Sequence, residues 1–256
     1  PSEFHNVKIK GMAREIQLRT GDEGPFPEVT DHDAEMTWFE EAVIDGWCLA
    51  RCPARVDPSS DIEGALHGLD LWTEAGAVDG GAEAYFQSLV ARLKVGLSTL
   101  SERFDHDVSR WGRWLDVLID RAAVGRVGVG PSHGDCQDGN IMLHRGGGAT
   151  LIDWEHCGQR WVHYDRMVFA LKARYQAGLP GRMQAFMSGR ALRWHPAAAD
   201  DRAWREIAIA RFLLEDSVFQ VEEAARGPYQ RVTEGLCDRE DGMQSLGSEL
   251  ADLWGA

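Results

Sequence analysis

Ile141-Met142-Leu143-His144 and Ala149-Thr150-Leu151-Ile152 are two strand-like runs, and Arg145-Gly146-Gly147-Gly148 between them has turn composition. A glycine turn between β-prone runs predicts a hairpin. The hairpin is a β island among helical stretches. Before it, Phe86, Leu89, Val90, Leu93, Leu97, Leu100 and Phe104 step by threes and fours, and Trp111, Trp114, Leu115, Leu118 and Ile119 repeat the pattern. A chain that must pack a hairpin against long amphipathic helices is restricted to the α+β class.

The other signals fill in that layout. Ser60-Asp61-Ile62-Glu63 fits a capping box, followed by Leu66 and Leu69 at helical spacing. After the hairpin, Val168 to Tyr175, Met183 to Leu192 and Trp204 to Glu223 read as helices, with Pro180 and Pro196 as breakers. The start differs. Val7-Lys8-Ile9-Lys10 alternates like a strand, Met12 to Arg19 could form a short helix, and the runs Glu28-Val29-Thr30 and Met36-Thr37-Trp38-Phe39 suggest another hairpin before a turn at Ile44-Asp45-Gly46. The expected division is a small β-rich lobe over residues 1–46 and a helical lobe over 47–256. Gly125-Arg126-Val127-Gly128-Val129-Gly130 lacks the order of either common phosphate loop and reads as a flexible lead into the next segment.

Charge narrows the partners. Twenty-seven Lys and Arg face 41 Asp and Glu, and the resulting net charge of −14 repels nucleic acid and anionic membrane surfaces while favouring cationic ligands. Neither a membrane-spanning run nor a signal peptide is visible, so a soluble, cytoplasmic protein is expected. Five cysteines at irregular spacing do not form a disulfide framework and are expected to be reduced. A zinc site drawn from Cys136, Cys157, His133, His144 and His156 would lack any CxxC pair, and loop histidines with small buried thiols are the simpler reading.

Chemistry concentrates around the hairpin. With the turn centred between Gly146 and Gly147, Leu143 pairs with Thr150 and Ile141 with Ile152, which sets Asn140 opposite Asp153. Opposed residues share a face, with Cβ atoms about 5 Å apart. An amide oxygen and a carboxylate so placed form half of a hard-cation site, suited to Mg²⁺ whose other ligands are water and phosphate. Asp135, five residues before Asn140 on a glycine-containing loop, can approach this clamp, orient a hydroxyl and accept its proton.

His133-Gly134-Asp135-Cys136-Gln137-Asp138-Gly139-Asn140 followed by Leu151-Ile152-Asp153-Trp154-Glu155 resembles the aminoglycoside phosphotransferase and choline kinase family. That resemblance implies a protein-kinase-like fold and an ATP- or GTP-dependent, Mg²⁺-dependent kinase of a small-molecule hydroxyl acceptor, a class that includes antibiotic-resistance enzymes. It implies Asp135 as catalytic base, Asn140 and Asp153 as Mg²⁺ ligands, His133 as a structural member of the loop, and Glu155 as a supporting residue. Asp165 would brace the loop or cap the helix that begins near Arg166. In the first lobe it implies Lys10 as the phosphate-binding lysine, Glu15 as its partner, and backbone groups at Glu41, Ala42 and Val43 as the adenine hinge. Two strands and a glycine-rich phosphate loop should precede Val7; the lobe is incomplete at its start, so either the sequence is shortened there or nucleotide binding is incomplete.

The acceptor is expected to be an aminoglycoside-like compound, an amino alcohol or a sugar. If it is cationic, Glu215, Asp216, Glu222 and Glu223 on the last predicted helix are candidates to bind it, although acidic runs at helical spacing commonly form a solvated face. The alternatives are a catalytically silent kinase-like nucleotide-binding protein and a zinc hydrolase.

Overall fold

The computed structural model describes residues 29–32, 39–104, 109–175, 178–190 and 193–226. In chain order these form β1 (Val29–His32), β2 (Phe39–Glu41), β3 (Gly46–Cys48), α1 (Ser59–Ala75), β4 (Val78–Gly81), α2 (Ala82–Phe104), α3 (Ser109–Ala122), β5 (Arg126–Ser132), β6 (Ile141–His144), β7 (Ala149–Leu151), β8 (Gly158–Trp161), α4 (Tyr164–Ala170), α5 (Leu179–Met187) and α6 (Arg202–Arg226). Helices and small antiparallel sheets coexist, as an α+β chain requires. Contacts group the residues up to Val78 with Gly128–Phe169 in one unit, and Asp79–Val127 with those from Ala170 onward in a second. None of these cuts falls at residue 46. Among the described residues no helix is long and apolar enough to cross a membrane.

In the first unit, β1 and β2 pair antiparallel, with Val29 opposite Glu41 and His32 opposite Phe39. The expected hairpin near residues 28–39 is therefore present in its described part. The second hairpin gains a third strand: β3 pairs with β6, Trp47 facing Leu143, and β6 pairs with β7. The turn at residue 46 is thus a sheet strand, which the brevity of Gly-Trp-Cys concealed. Gly46 is required there, because a Cβ would lie 1.8 Å from the Leu143 carbonyl oxygen.

The β6–β7 register differs by one residue from the sequence expectation. Ile141 faces Leu151, Met142 faces Thr150 and Leu143 faces Ala149. The loop explains the shift. The His144 N–H donates to the Gly148 carbonyl at 2.9 Å and the Gly147 N–H to the His144 carbonyl at 3.2 Å, closing a three-residue loop with φ of +92° at Gly147. An odd loop with a glycine in the left-handed region displaces the register relative to a two-residue turn. Asn140 accordingly lies opposite Ile152, whose N–H donates to the Asn140 carbonyl at 2.9 Å, and Asp153 falls one position beyond.

The glycine-rich lead is also corrected: it is strand β5, whose residues 129–132 pair with β8. Its glycine at 130 permits close packing, since a Cβ there would lie 2.3 Å from the Thr73 carbonyl at the end of α1. The N-cap of helix α1 is Pro58, two residues before the Ser60 of the expected capping box, and the helix start uses different groups. The Asp57 carboxylate accepts the Ser59 N–H at 3.1 Å and the Ser59 hydroxyl, while Asp61 accepts the Gly148 N–H of the hairpin loop at 2.8 Å. Ile62, Ala65, Leu66 and Leu69 form its buried face.

The second unit is helical. α6 packs along α2 and α3, and α5 packs on α6. Most of the predicted stripe is the core: Phe86, Leu89, Val90, Leu93, Leu97 and Leu100 are buried, as are Leu115 and Leu118; Ile119 is half-buried, and the side chains of Phe104, Trp111 and Trp114 lie outside the described ones. Pro180 sits in the first turn of α5, where its missing N–H costs no helical bond, so it starts a helix, and α4 has already ended at Ala170. Arg211 is buried beneath the α3 terminus and donates to the carbonyls of Ala122, Val124 and Arg126 at 3.0, 2.8 and 3.1 Å.

Candidate active site

The segment from Ser132 to Asn140 has almost no regular backbone bonding of its own, so side chains must hold its shape. Asp165, in the first turn of α4, accepts the N–H of His133 at 2.7 Å and that of Gly134 at 2.8 Å, one on each carboxylate oxygen. Of the two expected arrangements, the hydrogen bonds observed here are those that join Asp165 to the loop. Gly134 has φ of +87°, and a Cβ there would lie 2.2 Å from the His156 carbonyl oxygen. That carbonyl accepts from Arg160 at 2.9 Å, and the same guanidinium nitrogen donates to the Ser132 hydroxyl at 3.1 Å. The loop is therefore closed from two sides within one unit.

His133 is fully buried. Its Nδ1 accepts the Asp135 N–H at 3.2 Å, which leaves Nε2 as the protonated nitrogen that donates to the Ile152 carbonyl at 2.9 Å. One neutral ring thereby ties the loop to the strand that leads to Asp153. Burial depresses its pKa, against the opposing pull of Asp165. Its ring packs against Trp154, with centroids 4.5 Å apart, and Trp154 meets Trp72 of α1 edge-on at 5.4 Å. The Trp154 indole N–H donates to the Leu151 carbonyl at 2.9 Å, so this buried tryptophan needs no further partner.

Asp135 is buried, and its Oδ2 accepts two amide hydrogens, one from Gln137 at 2.8 Å and one from Asn140 at 2.9 Å. Asn140 also donates to the Asp135 main-chain carbonyl at 2.9 Å. Asp135 and Asn140 are thus brought together. With its NH₂ turned to Asp135, Asn140 has its carbonyl oxygen as the atom to offer a cation. Asp153 is exposed and adopts a left-handed backbone, φ 64° and ψ 63°, at the end of β7. A non-glycine residue in that region costs energy and marks a position where the side-chain direction matters. An amide oxygen and one exposed carboxylate are the donor chemistry of a hard cation such as Mg²⁺. Zinc chemistry is not supported: no group of three or more His, Cys, Asp or Glu among the described residues could hold a metal, and burial pushes the Cys136 thiol well above its usual pKa.

The remaining expected residues are dispersed. Glu155 is exposed and 3.4 Å from the His156 ring. Lys10 and Glu15 lie outside the described residues. Glu41 ends β2, and Ala42 and Val43 continue toward β3, Val43 with 96% of its surface exposed. Glu215 and Asp216 are buried in the second unit, where Tyr85 donates to Glu215 and Arg174 donates to Asp216 at 2.6 Å. Glu222 accepts from Arg92 at 2.7 Å, and Glu223 is half-buried.

Four participants were not singled out from sequence. Gln137 lies inside the motif, but only the loop conformation aims it at Asp135. The Cys48 thiol of β3 lies 3.3 Å from the Gly139 carbonyl, joining that strand to the loop. Arg160 and Arg166 are long cations that reach partners remote in sequence, Ser132 and Asp70. No sequence periodicity would have revealed them.

The phosphotransferase enzyme family matches residues 60–206. Solved structures share the fold at low identity. The choline kinase LicA from Streptococcus pneumoniae is 14% identical with a TM-score of 0.59, over 97% of this chain and 84% of that one. A structure of LicA in complex with AMP gives 14% and 0.56, over 94% and 79%. A thermostable mutant of the aminoglycoside phosphotransferase APH(4)-Ia gives 14% and 0.57, over 95% and 84%. No curated protein matches the chain in sequence.

Proposed function

Since the chain belongs to the phosphotransferase enzyme family, we propose that this small-molecule kinase moves the γ-phosphoryl group of ATP, or of GTP, onto a hydroxyl of an amino alcohol, a sugar or an aminoglycoside-like compound. The observation that carries this reading is the Asp135 carboxylate, buried and oriented by two amide donors on a loop that Asp165 clamps. A carboxylate held so firmly is prepared to receive a proton from a hydroxyl placed against it.

In the proposed reaction, Asp135 takes the proton of the acceptor hydroxyl while that oxygen bonds to the γ-phosphorus. The bond from γ-phosphorus to the bridging oxygen breaks, and the nucleoside diphosphate leaves. Asn140 and Asp153 would hold Mg²⁺, which neutralises charge on the phosphates when bound. Lys10, Glu15 and the backbone at Glu41, Ala42 and Val43 would hold the nucleotide; the AMP complex of a structural neighbour supports a nucleotide in this fold.

The test is release of nucleoside diphosphate by the full-length protein, with ATP and GTP, over aminoglycosides, choline, ethanolamine, sugars and nucleosides. Acceptor-dependent release with one class is expected. Metal-dependent nucleotide binding without turnover on any acceptor would favour a silent nucleotide-binding protein, and absence of nucleotide binding would overturn the proposal.

A further inference from the structure

Helix α1 carries three carboxylates that all point to the segment around the candidate site. Asp61 takes the Gly148 N–H at the tip of the β6–β7 hairpin. Glu63 and Asp70 take the Arg166 guanidinium, at 3.0 and 2.7 Å. Arg166 is 5% exposed and directly follows Asp165, the residue that clamps His133 and Gly134. All of these residues belong to one unit.

A buried guanidinium is an expensive way to add stability, because desolvation cancels much of the attraction to its partners. A hydrophobic side chain at 166 would pack as well on general grounds. What the ion pair adds is direction: a fork with two carboxylates on a neighbouring helix fixes the rotation and height of the first turn of α4. Asp165 is in that turn, and its two hydrogen bonds tolerate little displacement. We propose that Arg166, held by Asp70 and Glu63, is a positioning residue that sets Asp165 and through it the loop carrying Asp135. For turnover the inference rests on the proposed kinase reaction; for loop order it does not.

The experiment therefore reads both. Arg166→Met and Asp70→Asn are made in the full chain, and amide hydrogen exchange is followed at His133 and Gly134, with the middle of α6 as internal control. The expected result is exchange faster at the two loop amides by on the order of tenfold or more in Arg166→Met, a smaller change in Asp70→Asn, and unchanged protection in α6. In the same proteins kcat should fall while the nucleotide KM holds. Unchanged protection at His133 and Gly134 in both variants would overturn the inference, as would loss of protection spread equally over α6. If Arg166→Met does not fold, Asp70→Asn and Arg166→Lys give the same readout. A wild-type protein without turnover would count against the proposed reaction, while the exchange data would still decide the role of Arg166.

Discussion

Asn140 donates one amide group to two acceptors of the same residue, the main-chain carbonyl and the Oδ2 of Asp135, at 2.9 Å each. The expected metal ligand is thereby also the residue that orients the expected base. Gln137 adds a second donor to the same oxygen. An amide in place of the Asp135 carboxylate still has an oxygen for these donors, so Asp135→Asn should fold and bind nucleotide with Mg²⁺ almost as before. Its kcat should fall by on the order of 10²–10⁴, the scale of general-base catalysis. Turnover near that of the wild type would remove Asp135 from the chemistry.

The shared role of Asn140 separates it from Asp153. From donor charge alone, Asn140→Ala would be the milder change, since an amide oxygen brings no formal charge. Its bonds to Asp135 alter that expectation. Asn140→Ala should lower kcat and raise the Mg²⁺ requirement together, whereas Asp153→Asn should raise the Mg²⁺ requirement more than it disturbs the base. Mg²⁺ titrations of kcat for both variants distinguish them; identical profiles would mean that the Asn140–Asp135 contact has no kinetic weight.

The legible features were those with local causes. The stripe from Phe86 to Leu100 is buried because period 3.6 determines which side chains share a face, whatever surrounds the helix. The hairpin was legible from composition, but its register was not, since one residue more or less in a glycine loop is decided by backbone bonds at His144 and Gly148. Asp135 and Asn140 could be named from spacing, and Asp165 only as an alternative, because whether it clamps or caps depends on where two distant segments meet. Arg166 with Asp70 is separated by 96 residues and follows no pattern at all.

The buried neutral His133 makes the loop sensitive to acid. Its folded pKa lies below the ordinary histidine value of about 6.5, with burial as the largest cause. In the window between the two values the unfolded chain binds the proton that the folded chain refuses. Stability from this group is therefore complete above about 6.5 and is lost as pH falls toward the folded pKa. Denaturation in urea at pH 7 and pH 5 should show a decrease that is smaller in His133→Gln. Equal decreases in both proteins would exclude His133 as the acid-sensitive group.

Arg211 provides a contrast in the second unit. Burial pulls its pKa down to about 10, yet it stays charged at neutral pH and serves three carbonyls at and beyond the end of α3. Arg211→Leu would leave those acceptors without their donor, at a cost of about 3 kcal/mol. The folded fraction of the variant should keep its nucleotide KM. Denaturant midpoints and KM measured side by side test this, and an unchanged midpoint would show that the carbonyls find other partners.

Gln137 offers the narrowest test of how the base is held. Its amide and that of Asn140 reach one oxygen of Asp135, so removal of either leaves the other. Gln137→Ala should therefore lower kcat by less than Asn140→Ala does. Gln137→Glu keeps the shape of the side chain but replaces a donor with a like charge beside a buried carboxylate, where the interaction is poorly screened. The glutamate variant should be worse than the alanine variant in kcat, with the nucleotide KM steady in both. That ordering is the informative result, because a purely steric role for residue 137 predicts the reverse, with the isosteric glutamate the better tolerated. A nucleotide KM that rises in step with the loss of kcat would instead place Gln137 against the nucleotide and not behind the base.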